Sequence, residues 1–298
     1  MMYHNPVMIK ETIDCLELKE DGIYVDLTFG GGGHSKEILN FLSDKGKLVA
    51  FDQDTDAIEN KILDDRFLLI NQNFKFLKQN LNYHGYPVVD GILADLGVSS
   101  YQFDKPERGF SIRHESKLDM RMNKNGELTA SDILNNYSES ELSKIFYDYS
   151  DLRNSRAIAK LIVDKRNKNK IHLTKQFNKM LKPFLSKGYE NKTLAKIYQA
   201  LRIEVNDEIE VLKQLLLQLP DVIRKGGKIV IITYHSIEDR LVKRFIQNGC
   251  FESEPLKDDF GKYKLPFKKS FKFIAPSLKE IKINNRSRSA KLRSAERI

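Results

Sequence analysis

The sequence predicts an α/β fold, a doubly wound, Rossmann-like parallel sheet interrupted by an all-helical insertion. Three observations carry that expectation. Short apolar runs alternate with helical patterns through the first hundred residues. Those runs are apolar without alternation, as strands covered by helices on both faces must be. From about residue 103 to residue 192 no strand pattern occurs, only helical ones.

Taken in order, "GIYVDLT" (22–28) reads as the first strand, followed by four glycines and a helix over 33–42. "KLVAFD" (47–52) is the second strand, and a second helix is expected to start at Thr55. "RFLLIN" (66–71) and "PVVDGILADLG" (87–97) are the third and fourth, the last with its apolar run ending at Asp95. The rhythm then breaks into helical patterns such as "SESELSKIFYDYS" and "NSRAIAKLIVDK". It resumes with a long helix, "NDEIEVLKQLLLQLPDVIRKGG", for which Gly226-Gly227 is the expected stop. A fifth strand, "KIVIITYH" (228–235), and a helix ending at Gly249 follow. "YKLPFKKSFKFIAPS" (263–277) reads as a strand pair of undefined register. The expected division is a sheet domain of 1–103 and 193–298 with a helical insertion of 104–192.

Composition narrows the class. With 298 residues, 41% of them hydrophobic, the chain can bury a substantial core. Two cysteines, Cys15 and Cys250, make neither a disulfide framework nor a metal-ligand spacing, so no metal is expected and a reducing cytoplasm fits. The N-terminal stretch lacks the apolar core of a signal peptide, and no run approaches the eighteen or so apolar residues of a membrane span. The expectation is a soluble cytoplasmic protein with no membrane partner. A net charge of +9 favours a polyanion as partner.

The chemistry concentrates at strand ends. "DLTFGGGGHS" (26–35) lacks the Gly-Lys-Ser/Thr ending of a P-loop, and Ser35 stands where a dinucleotide fingerprint needs its third glycine. Asp52 ends the second strand about 20 residues past the glycines, where a carboxylate meets a ribose diol. That suits NAD and S-adenosylmethionine equally, and Asp54 is the better helix cap. Asp95, followed by Gly97, Ser99 and Ser100, tips the balance toward methyl transfer. A nitrogen nucleophile such as a cytosine exocyclic amine has its lone pair delocalised into the ring. Acceptors placed on its hydrogens return electron density to nitrogen as the methyl group arrives in line. No cysteine stands there to form a covalent adduct.

Together these residues resemble one family, the bacterial 16S ribosomal RNA cytosine-N(4)-methyltransferases that modify a decoding-centre cytosine. The likeness runs through "HNPVMIKE" (4–11), "DLTFGGGGHS", "FDQD" (51–54), "NQNF" (71–74) and "DGILADLGVSSYQFD" (90–104). It continues through "ERGFS", "LDMRM", "YQALRIEVNDEIEVL", "ITYHSIEDRLVKRF" and "NNRSRSAKLRSAER" (284–297). Leu27, Gln53, Thr55, Tyr101 and Asn285 depart from the usual residues, and none removes a polar group assigned to chemistry. The resemblance implies an S-adenosylmethionine-dependent methyltransferase sheet, with S-adenosylmethionine contacted by Gly32, Gly33, His34, Asp52, Phe74, Asp95 and Gln102. Catalysis is expected around Asp95, Ser99 and His235; His235, Ser236 and Asp239 lie just after the fifth strand on the same sheet edge, where they shape the base pocket, assist proton removal or cap the next helix. The implied partner is 16S rRNA or the small ribosomal subunit, acted on by a monomer or homodimer.

Basic tracts supply candidate RNA contacts. Ten Lys or Arg lie between Lys160 and Lys192 against only Asp164 and Glu190, and five more follow from Arg286 onward. "KYKLPFKKSFKF" interleaves lysines with Tyr263, Phe267, Phe271 and Phe273 for stacking. Three rivals remain at this level. A DNA amino-methyltransferase would carry a Pro-Pro-aromatic turn where Leu96-Gly97-Val98 stands. A dehydrogenase would prefer NAD. A non-catalytic assembly factor would bind without turnover.

Overall fold

The computed structural model describes residues 6–298 apart from 253, 256, 258 and 264. His4 and Asn5 of the N-terminal motif and Lys264 of the basic-aromatic tract lie outside the described residues. The chain divides into two compact units, 1–97 with 209–298 and, between them in sequence, 98–208.

The first unit opens with helix α1 (Ile9–Leu16) and strand β1 (Ile23–Asp26), then helix α2 (Gly33–Phe41) and strand β2 (Lys47–Phe51). Strand β3 (Phe67–Ile70), helix α3 (Leu77–Tyr83) and strand β4 (Val89–Asp95) complete the N-terminal half. The helix expected after Asp52 is a short 3-10 helix, Thr55–Asn60. Asp54 caps it by accepting from the Asp56 amide, and Asn60 turns its side chain back to donate to Gly30 O at 2.9 Å. The segment holds the glycine turn instead of covering the sheet.

The second unit, 98–208, is helical: α4 (Ser100–Asp104), α5 (Ala130–Asn136), α6 (Glu139–Ser150), α7 (Ser155–Arg166), α8 (Thr174–Leu181) and α9 (Glu190–Asn206). It includes all of α9 because Leu194, Ile197, Tyr198 and Leu201 lie on one face at helical spacing and join the core formed by Leu142, Phe146, Ile158 and Phe177. Ser138 and Thr129 start α6 and α5 with reciprocal capping boxes.

The first unit resumes with α10 (Glu208–Val222), β5 (Ile223–Thr233), α11 (Ser236–Asn248), β6 (Phe267–Lys269), α12 (Leu278–Ile283) and β7 (Lys291–Arg297). The α10 helix stops before the expected glycine pair. Val89 pairs with Ile223 and Gly91 with Lys228, so 224–227 loop out of the β4–β5 ladder. Gly226 takes φ +77°, and a Cβ on Gly227 would lie 2.7 Å from Asp90 O, so both glycines serve the loop and not a helix end.

The sheet order is β3-β2-β1-β4-β5-β7-β6. Strands β1 to β5 are parallel, and β7 runs antiparallel between β5 and β6. The expected pair within 263–277 is therefore corrected: β6 pairs with the basic tail, not with its own neighbour. Strand order reverses between β1 and β4, which puts Asp26 and Asp95 at the carboxyl ends flanking the switch point. One core cluster on the sheet gathers Val25, Val49, Ile92, Leu215 and Phe245; another gathers Tyr24, Leu48, Leu93, Ile38 and Leu292. Among the described residues no helix is long and apolar enough to cross a membrane.

Candidate active site

The glycine turn is built around a carboxylate. Asp52 Oδ2 accepts from the Gly30 amide at 2.8 Å, and Oδ1 accepts from the Asp54 amide at 2.9 Å. Two ionised oxygens offer about four lone-pair positions, so each keeps one acceptor site for a diol. Burial pushes this carboxyl up to about 6, with the two amides holding it back. Gly30 and Gly32 have φ of 50° and 74°. A Cβ on Gly32 would sit 2.9 Å from the Phe29 ring, and one on Gly33 would sit 2.8 Å from Pro6. Backbone approach, and not a side chain, is what this turn provides. Gly32 then serves as N-cap of α2, whose first amides point out of the helix.

His34 is buried, and its Nε2 lies 3.0 Å from Val7 O. Phe74 is half-buried in the turn after β3 and packs on the core, and the adjacent Asn73 side chain donates to Gln53 Oε1 at 2.8 Å.

Three residues without a functional expectation from sequence tie the strand ends together. Asp26 is buried and accepts from Ser35 Oγ at 2.7 Å and from the Thr28 amide at 3.1 Å. Thr28 Oγ1 accepts from the Asp95 amide at 2.7 Å, joining the ends of β1 and β4. The Tyr234 hydroxyl donates to Asp95 Oδ1 at 2.7 Å. Burial pushes the Asp95 carboxyl up to about 6 against the pull of His34 and of the Tyr234 hydroxyl. Burial and then the Asp95 charge push the Tyr234 phenol far above its ordinary range, which keeps it a donor. Asp95 Oδ2 accepts no hydrogen bond among the described residues. Asp26 and Thr28 lie inside the glycine motif, and their strand-end position is the available signal; Tyr234 is an ordinary aromatic in sequence.

His235 caps α11: its Nδ1 accepts from the Glu238 amide, and Glu238 Oε2 accepts from the Tyr234 amide at 3.0 Å. Its Nε2 lies 3.0 Å from Glu238 Oε1 but without hydrogen-bond alignment. Asp239 is taken by the C-terminal strand, accepting from Arg293 Nε at 2.7 Å and Lys291 Nζ at 3.1 Å. Ser99 and Gln102 belong to the helical unit. There Ser99 accepts from the Gln102 amide, and Gln102 Oε1 accepts from the Ser99 amide, a capping box that starts α4.

The strand ends thus offer a close-approach turn with no lysine in it, a carboxylate with spare acceptors beside it, a helix N-terminus and a second, half-buried carboxylate. These groups fit a nucleoside bearing an amino-acid tail. Over residues 1–298 the chain matches the MraW methylase family. A ribosomal RNA small subunit methyltransferase H of Christiangramia forsetii is 57% identical, covering 100% of this chain and 99% of that relative. The protein of the same name from Flavobacterium johnsoniae is 55% identical with 100% and 99% covered. That from Bacteroides fragilis is 50% identical with 99% and 97% covered. The chain belongs to the MraW methylase family and is an S-adenosylmethionine-dependent methyltransferase.

Proposed function

We propose that the chain methylates the exocyclic N4 amine of a decoding-centre cytosine in 16S rRNA of the small ribosomal subunit. End-to-end identity with relatives named for small-subunit rRNA methylation supports the substrate. The observation that carries the chemistry is Asp95, a half-buried carboxylate at the switch point whose Oδ1 is fixed by Tyr234 and whose Oδ2 is left for an amine hydrogen.

S-adenosylmethionine, when bound, supplies an electrophilic methyl group on a sulfonium. Gly32 and Gly33 let the backbone close on it, and the N-terminus of α2 at His34 takes its carboxylate. Asp52 accepts from its ribose diol, and Phe74 packs on its adenine. Asp95 accepts from the cytosine N4–H, so that nitrogen recovers its lone pair and attacks the methyl carbon as the carbon–sulfur bond breaks. The methylated amine then releases its proton to water. Ser99 and His235 act by fixing the loops after β4 and β5, since each caps a helix.

A base within structured RNA must leave its stack to reach such a site. The helical unit supports RNA selection through the exposed Lys160, Lys165, Lys168, Lys170, Lys175 and Lys179. Incubation with labelled methyl donor and small subunits lacking the modification, followed by nuclease digestion and mass spectrometry, tests the reading. Label on cytosine N4 is expected. Label on a carbon or a ribose oxygen overturns the amine chemistry, transfer to DNA in preference to rRNA overturns the substrate, and bound donor without turnover favours an assembly factor.

A further inference from the structure

Away from the strand ends, α11, β6 and β7 enclose a pocket lined by Lys243, Gln247, Lys269, Phe271, Lys272 and Arg293, and no carboxylate lines it. Arg293 is 8% exposed, and its charge is answered: Nε donates to Asp239, and Nη1 donates to Lys272 O. The three lysines are not answered. Among the described residues Lys243, Lys269 and Lys272 make no ion pair or side-chain hydrogen bond. Lys243 and Lys269 are exposed and Lys272 is exposed beside the half-buried Phe271 ring. Three lysines without an acidic partner around one concavity make it electropositive, which a bound anion relieves.

The register locates this pocket relative to the chemistry. Asp95 pairs with Ile232, and Ile232 pairs with Leu292. Leu292 is therefore level with Asp95 at two strand spacings, about 10 Å, and Arg293 is the next residue along β7. Successive residues face opposite sides of a sheet, so Arg293 turns to the α11 side, away from the side that Leu292 shares with Asp95, and a phosphate in the pocket belongs to rRNA backbone apart from the target base.

We propose that Lys243, Lys269 and Lys272 form a phosphate-binding pocket that grips the rRNA backbone apart from the target nucleotide, an inference that rests on the rRNA reading above. It fixes position and carries no base specificity, because lysines recognise phosphate as point charges. Phe271 gives one wall apolar contact with the adjoining sugar.

The test compares the full-length protein with its K243Q/K269Q/K272Q variant, using a 16S rRNA transcript as probe across a range of salt concentrations. Tighter wild-type binding is expected, with the slope of log affinity against log salt shallower in the variant by about one for each phosphate it no longer neutralises. Affinity for S-adenosylmethionine and thermal midpoint stay at wild-type values, and the K243R/K269R/K272R variant regains RNA affinity. Equal affinity and equal slope in wild type and Gln variant overturn the pocket while leaving the proposed function standing. Failure of the wild type itself to bind the transcript or label subunits overturns both. Titration with inorganic phosphate is the last arm: weakened phosphate binding with unchanged RNA binding assigns the pocket to a free anion and overturns the RNA assignment.

Discussion

Asp95 is worth more to the reaction than to the fold. Its carboxyl is raised to about 6 by burial, so the fold favours its protonated form. Between the ordinary carboxylate range and pH 6 the native state therefore binds a proton that the unfolded chain has released. This residue's contribution to stability declines as pH rises through that window. Activity has the opposite dependence, because the ionised form accepts from the amine. Single-turnover methyl transfer is expected to rise with pH to a plateau with its midpoint near 6. Tyr234→Phe removes a hydrogen bond that lowers the Asp95 pKa, so the midpoint should move to higher pH. A pH–rate profile for both proteins checks the sign, and an unmoved midpoint removes Tyr234 from the site. Asp95→Asn keeps the shape and the Thr28 contact to its amide. It should lose transfer by at least about 100-fold while retaining donor binding by calorimetry.

At the scale of elements, the glycine turn and the antiparallel edge make different demands. Gly32→Ala puts a Cβ 2.9 Å from the Phe29 ring at φ +74°, a conformation that costs a non-glycine residue about 1–2 kcal/mol. Thermal melts should show a loss of that order, and donor titration a weaker complex. Asp239→Ala leaves Arg293 in a largely buried site with Lys291 beside it, and about 3 kcal/mol of destabilisation is expected from chemical denaturation. These two elements also mark what sequence could disclose. The first five strands were legible because each is a continuous apolar run, and Asp52 and Asp95 because they end such runs. The seventh strand was not: Lys291 and Arg293 alternate with Leu292 and Ser294, Arg297 follows, and their charge reads as solvent or RNA contact. In the structure Arg293 pairs with Asp239, and Arg297 donates to Pro220 O and Pro266 O. The aromatic tract divides likewise. Phe267 is buried in the core, and Phe273 lies under Lys291 and Arg293 at 5.6 and 5.7 Å, which leaves neither for base stacking.

At the scale of the whole molecule, each unit carries its own core. The buried cluster of the helical unit draws on residues from Phe110 to Leu201, all within 98–208. A fragment of 98–208 is therefore expected to unfold cooperatively with a helical circular-dichroism signal, and a featureless melt would show that its core needs the sheet unit. The sheet unit is built differently, from two segments on either side of the helical one. Its far edge has a further asymmetry in time. Strand β6 precedes β7 in the chain yet lies outside it, and among the described residues β6 has no other strand partner. It has nothing to pair with until β7 has crossed back to β5, closing a loop of more than fifty residues from Thr233 to Lys291. Loop closure of that length is entropically costly before its contacts form. The edge is thus ordered as a relay, β5 then β7 then β6, and the lysines of the β6 segment converge only at its last step.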